Sequence, residues 1–163
     1  AEAQIAGFEV EGSWQATDAL RFDLSAGYLD AEYDEFIGQN GVDVSGTLTP
    51  ANAPDWTGRI AANYRRSLGR NTELVINAAA AYRGDVYPTV SSSEILRQGS
   101  YTLYDASIGL EFVDGKYALL LAGRNLSDEE YRTQGFDLSD SLDYQLGYYG
   151  APRTVSLTAS VRY

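Results

Sequence analysis

The chain has no cysteine, no histidine and no methionine in its 163 residues, and only four prolines. Without cysteine there can be neither a disulfide nor a thiolate metal site. Without histidine, the commonest metal ligand and the usual general base near neutral pH are both missing, which excludes hydrolases of the Ser–His kind. No apolar run approaches the ~18–20 residues of a membrane-crossing helix; the best is Ala118 to Gly123. No positively charged start leads into an apolar stretch, so no signal peptide is expected. A helical membrane protein is thereby excluded. A membrane β-barrel is not, because its strands are apolar on one side only. Neither catalysis, nor a cofactor, nor a metal site, nor a nucleic-acid partner is expected.

Thirteen tyrosines and sixteen glycines give a strand-rich, turn-rich profile. A two-residue alternation of apolar and polar side chains recurs along the chain and marks strands with one apolar face. Seven strands are predicted. The first, about Ile5 to Ala16, places Ala6, Phe8, Val10, Gly12, Trp14 and Ala16 opposite Gly7, Glu9, Glu11, Ser13 and Gln15. In the second, Leu20, Phe22, Leu24, Ala26 and Tyr28 oppose Arg21, Asp23, Ser25 and Gly27. The third sets Trp56, Gly58, Ile60, Ala62 and Tyr64 against Thr57, Arg59, Asn63 and Arg65. The fourth sets Leu74, Ile76, Ala78, Ala80 and Tyr82 against Glu73, Asn77 and Arg83. The fifth sets Tyr104, Ala106, Ile108, Leu110 and Phe112 against Asp105, Ser107, Gly109 and Glu111. The sixth, Lys116 to Arg124, is the least regular, since Leu120 shares the polar side with Ala118, Ala122 and Arg124. The last, Arg153 to Tyr163, alternates strictly and ends on an aromatic residue.

The connections alternate in length. Thr17-Asp18-Ala19, Ser67 to Thr72 and Asp114-Gly115 are tight links, whereas Leu29 to Asp55, Arg83 to Ser100 and Asn125 to Ala151 are long. Short turns on one side and long loops on the other describe an outer-membrane meander. Strand directions set by this pattern put Trp14, Phe22, Tyr64, Phe112, Tyr117 and Tyr163 near the short-turn side of the apolar face, and Tyr28, Trp56, Tyr82 and Tyr104 near the long-loop side. Trp56 to Tyr64 and Tyr104 to Phe112 each cover about 20 Å of height at ~3.3 Å per residue and ~40° tilt, close to the ~25 Å apolar band of a membrane barrel. Small aliphatic residues fill the space between two amphipathic rows, as in interfacial girdles.

The polar face then looks into a lumen. It carries Glu9, Glu11, Arg59, Arg83, Asp105, Glu111 and Arg124 among others. Charges of both signs in such a place must be wet or paired. For each of them, plain lumen lining is the reading preferred. A barrel whose last strand runs to the periplasm needs an even number of strands. Seven passes do not supply it, so the expectation is the carboxy-terminal part of a longer barrel.

Ala122-Gly123-Arg124-Asn125-Leu126-Ser127-Asp128-Glu129-Glu130-Tyr131 resembles the xGxNLxDxxY segment near the end of TonB-dependent outer-membrane receptors. Gly147-Tyr148-Tyr149-Gly150-Ala151-Pro152-Arg153-Thr154 resembles the entry to their closing strand, and Ala53-Pro54-Asp55-Trp56-Thr57 their recurrent xPxW strand opening. The resemblance covers essentially the whole chain. It implies an all-β antiparallel barrel of about 22 strands, filled by an amino-terminal plug domain and driven by TonB through that plug. It further implies import of a scarce small molecule, a ferric siderophore first of all, across an outer membrane of lipid and lipopolysaccharide in a Gram-negative bacterium. The plug and the earlier strands would lie outside this sequence. A passive porin-like barrel and a soluble carbohydrate-binding sandwich stay open beside it.

Ligand candidates sit in the long connections: Tyr33, Phe36, Tyr87, Tyr131, Arg132, Phe136, Tyr144, Tyr148 and Tyr149. Aromatic rings there can stack on a siderophore, a sugar or a corrinoid, and can equally pack the loops together. Acids crowd the same places. Asp30, Glu32, Asp34, Glu35, Asp43 and Asp55 in the first long loop meet no Lys or Arg; Asp128, Glu129, Glu130, Asp137, Asp140 and Asp143 in the last meet Arg132 alone. These are twelve of the 23 acids behind a net charge of −11. They can attract a cation, but no spacing among them matches a defined calcium loop. Solvated loops are the preferred reading.

Overall fold

The protein is described from a computed structural model, which covers residues 1–113 and 115–162 and all side chains there except that of Asp140. The Asp114-Gly115 link and the place of Tyr163 in the lower aromatic row therefore involve residues outside the described ones.

Seven strands form one antiparallel meander: β1 (Glu2–Thr17), β2 (Leu20–Glu35), β3 (Trp56–Ser67), β4 (Thr72–Arg83), β5 (Tyr101–Phe112), β6 (Tyr117–Arg124) and β9 (Thr154–Val161). The sheet is open, with β1 and β9 at its edges. Between β6 and β9 the chain makes a separate hairpin of β7 (Arg132–Asp137) and β8 (Gln145–Tyr149), joined through a one-turn helix α1 (Ser139–Leu142). Among the described residues no helix is long and apolar enough to cross a membrane.

The register confirms the alternation read from the sequence. Apolar residues pair with apolar residues across every interface: Trp14 with Phe22, Leu24 with Ile60, Ile60 with Ala80, Ile76 with Ile108, Leu110 with Leu119 and Leu121 with Leu157. The irregular sixth strand falls into place in the same way. Leu120 pairs with Gly109 and Thr158, so it lies on the polar face together with Ala118 and Ala122.

Two expectations need correction. β2 does not end near Tyr28 but continues to Glu35, pairing with β1 as far as Glu2, so the first long connection starts at Phe36. Asp30, Glu32 and Asp34 continue the face that is apolar lower down, with Leu29, Ala31 and Tyr33 opposite, so the alternation inverts above Tyr28 while backbone pairing with β1 carries the ribbon on. The last long connection is not a plain loop, since it contains the β7–β8 hairpin. Gly135 and Gly147 interrupt the alternation there and are cross-strand partners.

The aromatic rows carry a metric of their own. Tyr28 is level with Trp56; Tyr82 pairs with Gly58, two residues below Trp56; Tyr104 pairs with Ala80, two residues below Tyr82. The upper row thus descends four residues over the three interstrand steps from β2 to β5. At ~3.3 Å per residue and ~4.8 Å per strand this is a slope of about 40°, the tilt that closed membrane barrels impose on their strands. The row is straight only if the strands lean.

Rings in these rows touch. Trp14 stacks on Phe22 at 5.7 Å, while Trp56 meets both Tyr28 at 4.8 Å and Phe8 at 6.1 Å. Aromatic pairs contribute about 0.5–1.5 kcal/mol each beyond the area they bury. Trp56→Ala, which removes two pairs, is expected to cost about 1–3 kcal/mol and more than Trp14→Ala, as measured by equilibrium unfolding of the full-length protein refolded in vesicles.

Candidate functional site

The long connections are organised from their bases upward. β6 ends where Asn125 turns the chain with φ of 48°, and Asn125 is only 4% exposed. Its backbone N–H donates to Asp105 Oδ1 at 2.9 Å. Its carboxamide donates to the carbonyls of Glu129 at 2.8 Å and Ala151 at 3.1 Å, and accepts from the Glu129 N–H at 2.8 Å. Asp128 accepts from the Arg153 N–H at 2.8 Å. The Tyr131 carbonyl accepts from the Gly150 N–H at 2.8 Å, and the Tyr131 ring stacks on Tyr101 at 4.7 Å. A Cβ on residue 150 would lie 2.1 Å from the Tyr131 ring, so any other residue there would push that ring out of its place. The two sequence segments around Asn125 and Gly150 are thus the halves of one bracket that ties the outgoing chain to the returning one.

Above the bracket the β7–β8 hairpin has two faces. Gly135, Asp137 and Gln145 turn towards the loop between β4 and β5. Gly135 comes against Pro88 and Leu96, where a Cβ would meet Pro88 Cγ at 2.8 Å. Asp137 accepts from the Ser91 hydroxyl at 2.6 Å, and Ser93 donates to Gln145 Oε1 at 3.0 Å. Arg132 donates from its backbone to Gln98 Oε1 at 2.7 Å and from its guanidinium to the Arg97 carbonyl at 2.9 Å. Val86, Leu96 and Gln98 are buried beneath this contact. With Ala61 and Asn125 they are the buried residues, glycines aside, among those described, so the packed interior lies mainly in the loops rather than in the sheet. The first loop joins in through Thr49, whose N–H donates to the Ser92 hydroxyl at 2.8 Å, and Asn52, whose N–H donates to the Tyr87 carbonyl at 2.9 Å.

The opposite face of the hairpin presents Gln134, Phe136, Leu146 and Tyr148, with Gln134 paired to Tyr148 and Phe136 to Leu146. Phe136 and Tyr148 meet edge to face at 6.0 Å while each stays about half exposed. Tyr144 and Tyr149 are exposed as well, Tyr149 beneath the Arg132 guanidinium at 5.6 Å. The structure therefore divides the nine sequence candidates. Phe136 and Tyr148, with Tyr144 and Tyr149 nearby in the hairpin, are accessible. Tyr131 and Arg132 are half-buried in the bracket and the docking contact, and Tyr87 is hydrogen-bonded to Glu94. Tyr33 and Phe36 pack on each other at 5.1 Å, at the far end of the β2 extension. Leu146, Gln134 and the serines at 91 and 93 carried no mark in the sequence. The glycine pair at 135 and 147 was the one available signal for a hairpin.

Charges on the loops are largely committed. Arg97 pairs with Asp85 at 2.8 Å and Glu94 at 3.7 Å, and Asp85 holds its pKa up while itself being held low by Arg97. The Tyr87 hydroxyl, donating to Glu94, is raised above its ordinary range. Asp43 is lowered by the N–H groups of Ser45 and Phe36, which close the first loop around it. Asp137 is lowered furthest, by the donors of Ser139 and the Ser91 hydroxyl.

On the polar face of the sheet the charges sort by height. Near the short turns they are paired: Arg21 with Asp23 at 2.7 Å, Asn63 with Asp23 at 2.8 Å, and Arg65 with both Glu73 and Glu111. Nearer the loops, Glu9, Glu11, Arg59, Arg83 and Arg124 make no ion pair among the described residues. Arg83 Nε is shielded from solvent with no acceptor. Between them a shallow depression of about 280 Å³ is floored by Ala61, Ala79 and Ala122 and rimmed by Arg59, Asp105 and Arg124. Among the described residues no cluster of acids could hold a metal ion.

Asp137 gives the docking contact a pH dependence. A carboxyl whose folded pKa lies below its unfolded value of about 4 stabilises the fold above that value, and the stabilisation is lost as pH falls through the folded pKa. Spin labels at Val90 and Ser141 should keep one narrow distance at about pH 4 and spread only in stronger acid, whereas Asp137→Asn should spread it already at neutral pH.

Comparison with known proteins places the chain. The family model "TonB dependent receptor-like, beta-barrel" matches residues 1–126. The ferric yersiniabactin uptake receptor FyuA from Yersinia pestis superimposes with a TM-score of 0.79 at 20% identity, over 98% of this chain and 23% of that one. The siderophore receptor PiuA from Acinetobacter baumannii gives 0.72 at 22% identity, over 99% and 22%. The ferric-catecholate import receptor Fiu from E. coli K12, in its closed form, gives 0.70 at 20% identity, over 99% and 21%. At these identities the likeness is one of fold, and this chain spans less than a quarter of each of those structures.

Proposed function

The chain belongs to the TonB-dependent receptor β-barrel family, and from that premise we propose that it serves in an outer-membrane receptor importing a scarce small molecule, a ferric siderophore in the first instance, with energy delivered by TonB. The seven-stranded sheet is the carboxy-terminal part of the barrel wall. Its apolar face meets lipid and, on the outer leaflet, lipopolysaccharide. Its polar face lines the lumen, where Glu9, Glu11, Arg59, Arg83 and Arg124 meet a plug domain that TonB engages. Glu9, Glu11, Arg59 and Arg124 stand exposed without ion partners among the described residues, and Arg83 Nε is shielded without an acceptor, which together support a polar partner on that face.

The observation that carries the ligand reading is the division of the hairpin. One face is fixed to the neighbouring loop by hydrogen bonds at Arg132, Asp137 and Gln145, which leaves Phe136, Leu146 and Tyr148 exposed on a braced support. Pre-organised aromatic surface binds at low entropic cost. The three superimposing receptors are named for ferric yersiniabactin, a siderophore and ferric catecholate, and these names make an iron chelate the first ligand class to test. Loss of the full-length gene should impair growth on at least one ferric chelate under iron limitation. Complementation with Phe136→Ala/Tyr148→Ala should restore barrel assembly but weaken chelate binding by roughly ten-fold to a hundred-fold, at about 1–3 kcal/mol for the pair. Unimpaired use of every iron chelate would remove the siderophore assignment.

The membrane reading has its own test. Ile108 lies midway between Tyr104 and Phe112 on the apolar face, whereas its neighbour Ser107 lies on the polar face. Ile108→Arg should destabilise the receptor by about 2–4 kcal/mol in vesicles and Ser107→Arg by much less, as read by urea unfolding.

A further inference from the structure

Between the two aromatic rows, the apolar face of the sheet carries no charged residue among those described. Charge returns at both margins, with opposite sign. Above the upper row the same face of β2 continues into Asp30 and Glu32. Below the lower row the next residue on that face of β3 is Arg66, which pairs with Leu74 and is exposed. The turn that follows, Leu68-Gly69-Arg70-Asn71, adds a second exposed arginine, an exposed Leu68 and no acid. On the next hairpin, Lys116 places its Nζ 5.8 Å from the Tyr117 ring.

Two acids near this margin are already engaged, and Asp18 in the neighbouring β1–β2 turn makes no ion pair with either arginine. Glu73 and Glu111 lie on the polar face, where Arg65 binds both. Parity sends Arg66 to the other side of the sheet, and neither Arg66 nor Arg70 has an ion-pair partner among the described residues. One step beyond Tyr64 along a strand tilted by ~40° lowers a residue by about 5 Å. An arginine there, beneath an interfacial aromatic residue, reaches the level at which lipid phosphates lie.

Resting on the membrane reading above, we propose that Arg66 and Arg70, flanked by Tyr64 and Leu68, hold the phosphate of an anionic phospholipid in the leaflet on the short-turn side. The aliphatic stem of Arg66 lies along acyl chains and its guanidinium takes the phosphodiester, with Arg70 as the second cation. Two positive charges without an ion-pair partner among the described residues favour a net-negative headgroup, such as phosphatidylglycerol, over zwitterionic phosphatidylethanolamine.

The test uses the full-length receptor in nanodiscs of phosphatidylethanolamine containing a minority of phosphatidylglycerol. Native mass spectrometry should show phosphatidylglycerol retained by the wild type. Its affinity should fall about thirty-fold in Arg66→Gln/Arg70→Gln, roughly five-fold per cation, and stay unchanged in Arg153→Gln at the far end of the barrel. Equal retention in the wild type and the double variant overturns the proposal. A second measurement needs no variant: a phosphatidylglycerol with a photoreactive headgroup should label the peptide spanning residues 66–72, and a lipid with a photoreactive acyl chain should label the strand around Ile108. Acyl-chain labelling without headgroup labelling sinks this site and leaves the membrane reading standing. Labelling by neither sinks both. Protection of Arg66 and Arg70 by an acidic soluble protein alone, with no lipid effect, also overturns the lipid assignment.

Discussion

Antiparallel register is the constraint on which everything else in this protein depends. Side chains on a strand alternate with a period of two, so a slip of one residue at any of the six interfaces would turn an entire strand over. Trp14 beside Phe22, Ile76 beside Ile108 and Leu121 beside Leu157 show that no such slip occurs from β1 to β9. The same register sets the stagger that makes the aromatic rows straight, and it separates Arg65, bound to Glu73 and Glu111, from Arg66 on the opposite face. Apolar and polar sides can therefore evolve towards different surroundings while sharing one backbone.

The sheet has little interior of its own. One face is clothed in exposed aliphatics and the other in charges and small residues, so neither supplies a core in the manner of a soluble domain. Packing is found instead at the long-loop end, where Val86, Leu96 and Gln98 are covered by the β7–β8 hairpin. Loops usually lie at the low-stability end of a protein. Here three of them are joined by hydrogen bonds from Thr49, Asn52, Ser91, Ser93 and Arg132, and they brace one another. That bracing leaves an aromatic face available without requiring it to be ordered on each encounter with a ligand.

The two most recognisable sequence segments turn out to serve this bracing. Asn125, Asp128 and Tyr131, with Gly150, Ala151 and Arg153, close the base of the loop. A family signature can thus mark a mechanical joint, and the contact surface for a small molecule can lie in less distinctive residues between its halves.

Local alternation was enough to read the seven wall strands, their faces and both aromatic rows, because a half-apolar strand needs only its own side-chain order to show itself. The sixth strand was legible despite Leu120 for the same reason: Tyr117, Leu119 and Leu121 keep the period. Where the alternation changes sides, as from Tyr28 to Asp30, or where glycine breaks it, as at Gly135 and Gly147, the strand no longer matches the apolar face of its neighbours and could not be seen. The functional candidates were found by residue type, since aromatic rings in long loops are few. Which of them are accessible was not encoded locally. Tyr131 is held by Tyr101 and Gly150, Tyr87 by Glu94, and Phe136 is released to solvent because Gly135 beside it packs on Pro88 and Leu96. Tyr87 and Glu94 are seven residues apart and the other contacts join residues 19 to 47 apart in sequence, and no period along the chain records them. The sequence alone determined the two faces of the wall. Only tertiary contact between loops decided which rings remain exposed.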